Sequence, residues 1–467
     1  MADAPLIQVE SIVVQKLFGL YDHAIQLKLG DRVTIVHGPN GVGKTAILRL
    51  VTALFGWRLA EFARVPFDKF EVTLTDKTRI TVEPGEPGKR RRPSHTPQIP
   101  LKVAVHSAHG SKADTFQYDE RRYAETLMVL ERELPWLNRI SEEAWMDGRT
   151  GTTLSTAEVL ARYSELVPVR AGKAYPEPEW FQTVRAQVRV HFIEAQRLLR
   201  IGPSEPHRGR VQAMVPTVRD YAQDLQRRVG ETLARYASES QSLDQSFPQR
   251  LLVASAPALN INEIKDRMAA LDVQRTKLRS ISLLDDSGGY PFDITSLDKL
   301  NSTQTGVMSL YVQDTERKLG TLDDLARRIE LLRDNVNQKF AHKSIRIDRE
   351  RGFHATGHDD TPLELEALSS GEQHELVLLY DLLFRVQPNT LVLIDEPELS
   401  LHVGWQKRFL PELLQIVKAA QFDALVATHS PFIVGDRSDL MVPLGTDALR
   451  VKMDETVRSH EFTEQGA

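Results

Sequence analysis

The sequence predicts an α/β fold interrupted by a mainly helical insertion lobe, and three observations predict it. Arg32 to Val36 is a short β-branched run that stops at a glycine-rich turn, after which Thr45 to Leu54 carries apolar residues at helical spacing. Strand and helix patterns alternate again from Gly371 to Ala427. Between these stretches, from about Pro216 to Lys343, the apolar period is mainly that of helices.

Taken in order, Ile7 to Val14 and Ala24 to Leu29 read as strands, and Phe70 to Thr75 with Arg79 to Val82 reads as a hairpin around Asp76 and Lys77. Glu83 to Pro100 is polar and Pro-rich and contains Lys89-Arg90-Arg91-Arg92, the composition of a solvated loop. A mixed helical region is expected over Glu120 to Val167, then a strand at Val188 to Ile193. In the lobe, Val218, Tyr221, Leu225, Val229 and Leu233 recur at three- and four-residue spacing, as do Leu322, Leu325, Ile329 and Leu332. The Ser287-Gly288-Gly289 turn and Pro291 interrupt it, and no heptads are sustained, so a compact lobe is expected rather than a long coiled coil. A helix from Gly371, a strand at Leu391 to Ile394, a helix after Leu401 and a strand at Ala424 to Ala427 complete the chain. The expected division is 1–200, with a loop and helical insertion near 83–167, then 201–345 for the helical lobe and 346–467 for the returning α/β half.

At 467 residues, with 41% hydrophobic and 26% charged, the chain can hold more than one domain. A net charge of -5 argues against a strongly basic nucleic-acid-coating protein. The absence of cysteine excludes disulfides, thiolate metal sites and cysteine nucleophiles. MADAPLIQVE is no signal peptide, and no run approaches the roughly 18–20 apolar residues of a membrane span. A cytoplasmic protein without a membrane partner is expected.

Gly38-Pro39-Asn40-Gly41-Val42-Gly43-Lys44-Thr45 fits G-x-x-x-x-G-K-[ST] in full, and it lies between a strand and a helix. The glycines let backbone N–H groups converge on phosphates, Lys44 reaches the β and γ phosphates, and the Thr45 hydroxyl meets Mg²⁺. Leu391 to Ile394 is an apolar strand that ends in Asp395 and Glu396. There Asp395 is placed to hold Mg²⁺ and Glu396 to act as general base on the attacking water. Leu368-Ser369-Ser370-Gly371-Glu372-Gln373 opens a helix, where a serine followed by glycine presents hydroxyl and N–H donors to an anion.

In this order the segments resemble the motifs of ABC-type ATPases, whose head is a P-loop NTPase sheet flanked by helices. The Ser369 segment resembles the family's signature, with Ser370 where glycine is commoner. Gln196, in Phe192 to Arg197, resembles the Q-loop glutamine that senses metal and water. His429, in Ala427 to Pro431, resembles the switch histidine at the γ-phosphate, and Glu398 to His402 occupies the place of the D-loop. The resemblance implies ATP and Mg²⁺ as ligands, hydrolysis to ADP and phosphate, and a head-to-tail homodimer or higher homo-oligomer. In such a dimer Ser369, Ser370, Gly371 and Glu372 of one copy close over ATP held by the other. Tyr21 or Phe18 could stack on adenine, though an apolar core position is the expectation for both.

Gln196 and Ser369 are separated by 172 residues, far more than in a transporter's nucleotide-binding domain. The insertion is similar to those of the SMC, RecF and OLD branch. The segments LSSGEQHELVLLYDLLF and LVLIDEPELSLHVGWQKRFL resemble the stand-alone ATPase subunits of two-gene anti-phage systems, PARIS first and Septu next. That resemblance implies a separate nuclease effector, Toprim-type or HNH-type, and a phage protein or DNA as trigger. The 38 residues after His429 are too few for a Toprim domain, so the effector is expected on another chain. The alternative is a RecF-type repair or DNA-end-binding ATPase, in which Lys89 to Arg92, Arg185, Arg189 and Arg197 would contact phosphates.

Overall fold

The computed structural model describes residues 7–85, 100–107, 113–118, 130–140, 144–150, 152–155, 159, 162–163, 178–201, 214–253, 259–285 and 301–445. In chain order its elements begin with β1 (Val9–Leu17), β2 (Tyr21–Gln26), β3 (Val33–His37), α1 (Lys44–Phe55), β4 (Lys69–Leu74), β5 (Arg79–Pro84), β6 (Leu101–His106) and β7 (Asp114–Tyr118). Next come β8 (Leu137–Arg139), β9 (Ala144–Asp147), β10 (Thr152–Ser155), α2 (Glu179–Gln187), β11 (Arg189–Ile193), β12 (Leu199–Ile201) and β13 (Met214–Pro216). The helices α3 (Thr217–Val253), α4 (Ile261–Ser280), α5 (Ser302–Gly320) and α6 (Asp323–Asn337) follow. The chain then forms β14 (Lys343–Asp348), β15 (Gly352–Gly357), β16 (Pro362–Leu363), α7 (Ser370–Tyr380), β17 (Thr390–Asp395), α8 (Val403–Ala420), β18 (Asp423–Thr428) and β19 (Met441–Pro443).

Two compact units result, the first built from Met1–Gln196, Pro203–Ala213 and Arg385–Ala467, the second from Arg197–Gly202 and Met214–Phe384. In the first, β11-β17-β18-β3-β19 form a sheet in which every pairing is parallel. Its central strands are the near-continuous apolar runs of a doubly covered sheet, and every residue of β17 and β18 is buried. Parallel order brings the C-terminal ends of β17, β18 and β3 to one edge, which is what positions the site below. The antiparallel sheet β2-β1-β4-β5-β6-β7 alternates instead: Phe70, Val72 and Leu74 of β4 point inward. Leu48, Val51 and Leu54 of α1 share one core with Phe70 and Val72 of that sheet and with Leu393 and Leu425 of the parallel one.

In the region Glu120 to Val167, expected to be mixed helical, the described residues include a helical stretch at 130–133 and also the antiparallel sheet β10-β9-β8, which was not expected. The turn between β9 and β10 is fixed by a side chain that composition does not reveal. Buried Asp147 receives Arg149 through Nε at 3.0 Å and Nη2 at 2.9 Å, and Tyr163 donates its hydroxyl at 2.5 Å. The Arg149 hydrogen bonds hold the Asp147 carboxyl well below the usual carboxylate range. Strands β6 and β7 were also not expected, being short and following the Pro-rich stretch. Lys89 to Arg92 lie outside the described residues.

The second unit holds the four helices α3 to α6, the meander β14-β15-β16 and α7. It runs on to Phe384, so the serine-rich segment at Ser369 groups with the helices and not with the α/β half. Packing accounts for this. Tyr221 of α3 stacks on Tyr380 of α7 at 4.6 Å, Tyr380 donates to Asp224 Oδ2 at 2.8 Å, and Tyr221 donates to Asp381 Oδ1 at 2.5 Å. Lys339 and Glu375 form a buried ion pair behind the same helix. Gly352 at φ 76° passes so close to α3 that a Cβ would lie 1.9 Å from the Ala222 carbonyl oxygen, so only glycine fits there.

Candidate nucleotide-binding site

The loop between β3 and α1 is shaped by glycine. Gly41 and Gly43 have φ of 84° and 97°, in the left-handed region, and a Cβ on Gly43 would meet Leu17 Cδ2 at 2.3 Å. Helix α1 begins at Gly43 without a side-chain cap and with no acid in its first turn, so its dipole and amide donors are open to an anion. Buried Lys44 holds its ammonium against the carbonyl oxygens of Gly38 at 2.7 Å and Pro39 at 3.0 Å. Burial lowers the Lys44 pKa, with Glu396, Glu398 and Asp395 opposing.

The register of the parallel sheet explains how residues 350 apart meet. The loops after β3 and β17 lie two strands apart, and β18 between them ends at Thr428, which pairs with His37. The next residue, His429, bridges the two loops. Lys44 Nζ lies 2.9 Å from His429 Nδ1, and His429 Nε2 lies 3.2 Å from Glu396 Oε1. Nδ1 also lies 3.2 Å from Gly38 O, but the Lys44 ammonium is nearer and is only a donor; with Nδ1 accepting from it, the imidazole proton sits on Nε2, directed at Glu396. Glu396 has φ 42°, a left-handed conformation strained for a side-chain-bearing residue, and its N–H donates to Ala427 O at 2.9 Å. Asp395, at the end of β17, accepts the Thr45 hydroxyl at 3.0 Å, and burial raises its pKa.

Gly41, Gly43, Lys44, Thr45, Glu396 and His429 line a cavity of about 730 Å³ that also takes in Phe18, Asn40, Arg49, Arg64 and Leu399. Phe18 is 40% exposed there, against the expected core position, while Tyr21 stacks on His23 at 5.8 Å. Phe18 sits in the turn after β1 at φ 56°, which carries its ring out of the core. The oxygens of Thr45 and Asp395 form a hard donor pair, and burial raises the Asp395 pKa more than the Thr45 hydrogen bond and the charge of Arg49 lower it. Both fit Mg²⁺, which takes few protein ligands and keeps waters and phosphate oxygens for the rest.

The remaining expected residues are placed as follows. Gln196 follows β11, is exposed and does not line the cavity. Ser369, Ser370, Gly371 and Glu372 lie in the second unit. Ser369 is the N-cap of α7 in a capping box: its N–H donates to Glu372 Oε2 at 2.7 Å and its Oγ accepts from the Glu372 N–H at 3.3 Å. Lys343 also binds that carboxylate at 2.8 Å, so Glu372 is buried and occupied with shaping the turn, while both serines are exposed. Pro39 and Val42 shape the phosphate-loop backbone, and Val42 O is held by His23 Nε2 at 2.8 Å.

One site residue was missed. Glu398, expected only as part of the D-loop, accepts at Oε1 from Thr428 Oγ1 at 2.7 Å, His429 N at 2.8 Å and Ser430 N at 3.2 Å. It fixes the loop that aims His429, and nothing local in the sequence signals a contact 30 residues away. Glu398→Ala is expected to cost about 1–3 kcal/mol in urea unfolding, through the Thr428 hydroxyl and the His429 N–H left unpaired, while the Ser430 N–H keeps Thr428 Oγ1 at 2.9 Å. An unchanged midpoint would show that water serves those donors equally well.

A phosphate loop after one strand, acids after a second and a histidine from the strand between build a phosphate-binding site of P-loop type. Residues 215–435, which include the acids and the histidine but not the phosphate loop, match the family described as AAA domain, putative AbiEii toxin, Type IV TA system. The chain is 37% identical over 84 residues to the Retron Ec83 probable ATPase of Escherichia coli, a match covering 16% of this chain and 15% of that protein. Solved structures include the Smc head domain of Pyrococcus furiosus bound to the C-terminal domain of ScpA, at TM-score 0.33 and 13% identity over 97% of this chain and 100% of that one. The SMC head domain from Thermotoga maritima aligns at TM-score 0.30 and 12% identity over 92% of each chain. Among the described residues no helix is long and apolar enough to cross a membrane.

Proposed function

We propose that the chain binds and hydrolyses ATP as the sensor and regulatory subunit of an anti-phage complex, pairing with itself and controlling a separate nuclease effector. The observation that carries the ATPase reading is the bridge from Lys44 through His429 to Glu396, three groups from three strand ends joined on the wall of the 730 Å³ cavity. The loop amides and Lys44 bind the β and γ phosphates. Thr45 and Asp395 would hold Mg²⁺, which would supply charge neutralisation at the phosphates. Glu396 accepts the proton of a water whose oxygen attacks the γ-phosphorus, the bond to the ADP oxygen breaks, and ADP and phosphate leave. His429 holds Glu396 in position and donates from Nε2.

Self-pairing is supported by the exposed Ser369 and Ser370 hydroxyls at the start of α7, donors that a second copy's γ-phosphate can use. The defence role is supported by the toxin named in the matched family's description and by the likeness to a retron ATPase. The effector in this reading is Toprim-type first and HNH-type next, and the trigger a phage protein or DNA. In cells carrying the gene with its genomic neighbours, Lys44→Ala and separately Glu396→Gln are expected to abolish protection in a phage plating assay. Full protection in both variants would refute the reading.

A further inference from the structure

The first unit has another cavity, of about 380 Å³, beside the one at the phosphate loop. On α1, Thr45 and Arg49 line the nucleotide cavity, while Arg49 and Thr52 line this one. The three residues recur at four- and three-residue spacing on one helix face, so the second cavity lies roughly 10 Å further along α1 than Thr45. The turn after α1 adds Arg58, and Arg162 adds a guanidinium from the region after β10. Phe192 and Glu194, two residues apart at the end of β11, share one side of the strand and bring a ring and a carboxylate to the cavity.

The charges here do not satisfy one another. Arg64 also lines the cavity and is paired with Glu61 at 3.1 Å, but Arg49, Arg162 and Glu194 make no hydrogen bond or ion pair with a described residue. The Nε of Arg58 is buried with no hydrogen-bond partner among the described residues. Four guanidinium groups against two carboxylates leave an excess positive charge that suits a dianion, and guanidinium forks match phosphate oxygens two at a time. The Glu194 carboxylate repels a second anionic group but accepts from hydroxyls, and the half-buried ring of Phe192 suits a flat apolar group. A phosphate monoester at one end, hydroxyls in the middle and a ring at the other make a nucleoside monophosphate, and the volume lies within the range of small-ligand sites. We infer that this cavity is a second, non-catalytic site for a nucleoside monophosphate. Arg49, Arg58 and Arg162 hold its phosphate, Glu194 its ribose hydroxyls and Phe192 its base. The inference stands apart from the reading of the nucleotide cavity, which Arg58, Arg162, Phe192 and Glu194 do not line. Nor do Arg185, Arg189 or Arg197, the described arginines that sequence alone offered for phosphate contact, line the second cavity.

The test is isothermal titration calorimetry of the full chain with AMP, GMP and CMP, in the presence of Mg²⁺ and a saturating non-hydrolysable ATP analogue that occupies the nucleotide cavity. At least one of the three should bind at about one equivalent per chain with a dissociation constant below about 1 mM. Arg162→Glu is expected to cut that affinity at least about tenfold. Arg162 is exposed, so the variant should fold and keep its basal ATP turnover. Glu194→Ala should weaken the nucleoside monophosphate at least about fivefold and leave inorganic phosphate no weaker, a split that a merely structural loss does not produce. Lys44→Ala should bind the monophosphate as the parent does, which separates a failure here from a failure of the nucleotide reading. Saturable binding of none of the three up to about 1 mM overturns the inference, as does binding that Arg162→Glu leaves unchanged or that Lys44→Ala abolishes. Inorganic phosphate binding as tightly as the monophosphates would make the cavity a site for an adventitious ion only and equally overturn it.

Discussion

Glu396→Gln is expected to lower ATP turnover by about 10²- to 10⁴-fold while leaving ATP affinity near that of the parent. The amide keeps the size of the carboxylate and can still accept from His429 Nε2, now 3.2 Å from Glu396 Oε1, but it cannot take a proton from water. Lys44 and the loop amides, which hold the phosphates in this account, are untouched. Turnover measured by phosphate release, alongside binding of a fluorescent ATP analogue, separates the two effects. A loss of binding equal to the loss of turnover would mean that Glu396 props up the loop and does not act on water.

The second large effect is expected at a residue far from Glu396 in sequence. Ser369→Arg places a long cation where the account has one copy's hydroxyl meet the other copy's γ-phosphate, and turnover should fall by at least about a hundredfold. The fold should survive. Ser369 is exposed, and losing its N-cap on α7 costs about 1 kcal/mol. ATP should still bind, because none of the residues lining the 730 Å³ cavity is altered. A variant that turns over ATP normally would remove Ser369 from the mechanism.

Much of this was legible because the chemistry of phosphate binding is local. Gly38 to Thr45 must be contiguous for the amides to converge, and Asp395 and Glu396 must end an apolar strand, so both are visible as strings. The alternation of β4 and the helical period of α3 and α6 were legible for the same reason, since burial imprints a period on nearby residues. What stayed hidden was set by distant partners. Glu398 became a positioning residue for His429 only because parallel pairing puts β18 beside β17. The sheet β10-β9-β8 depends on the Asp147, Arg149 and Tyr163 cluster, and such a cluster has no periodicity. Phe18 was misplaced because a left-handed turn, not its hydrophobicity, decides which way its ring points.

In the proposed dimer a complete active site takes Lys44, Asp395 and Glu396 from one copy and Ser369 from another. Mixing the Glu396→Gln and Ser369→Arg variants tests it most directly. Each alone should be nearly inactive, but a mixed dimer holds one site with an intact Glu396 facing an intact Ser369. Half the dimers are mixed and each restores one site of two, so an equimolar mixture should recover about a quarter of the parent turnover. A mixture no more active than its two components measured separately would contradict the account.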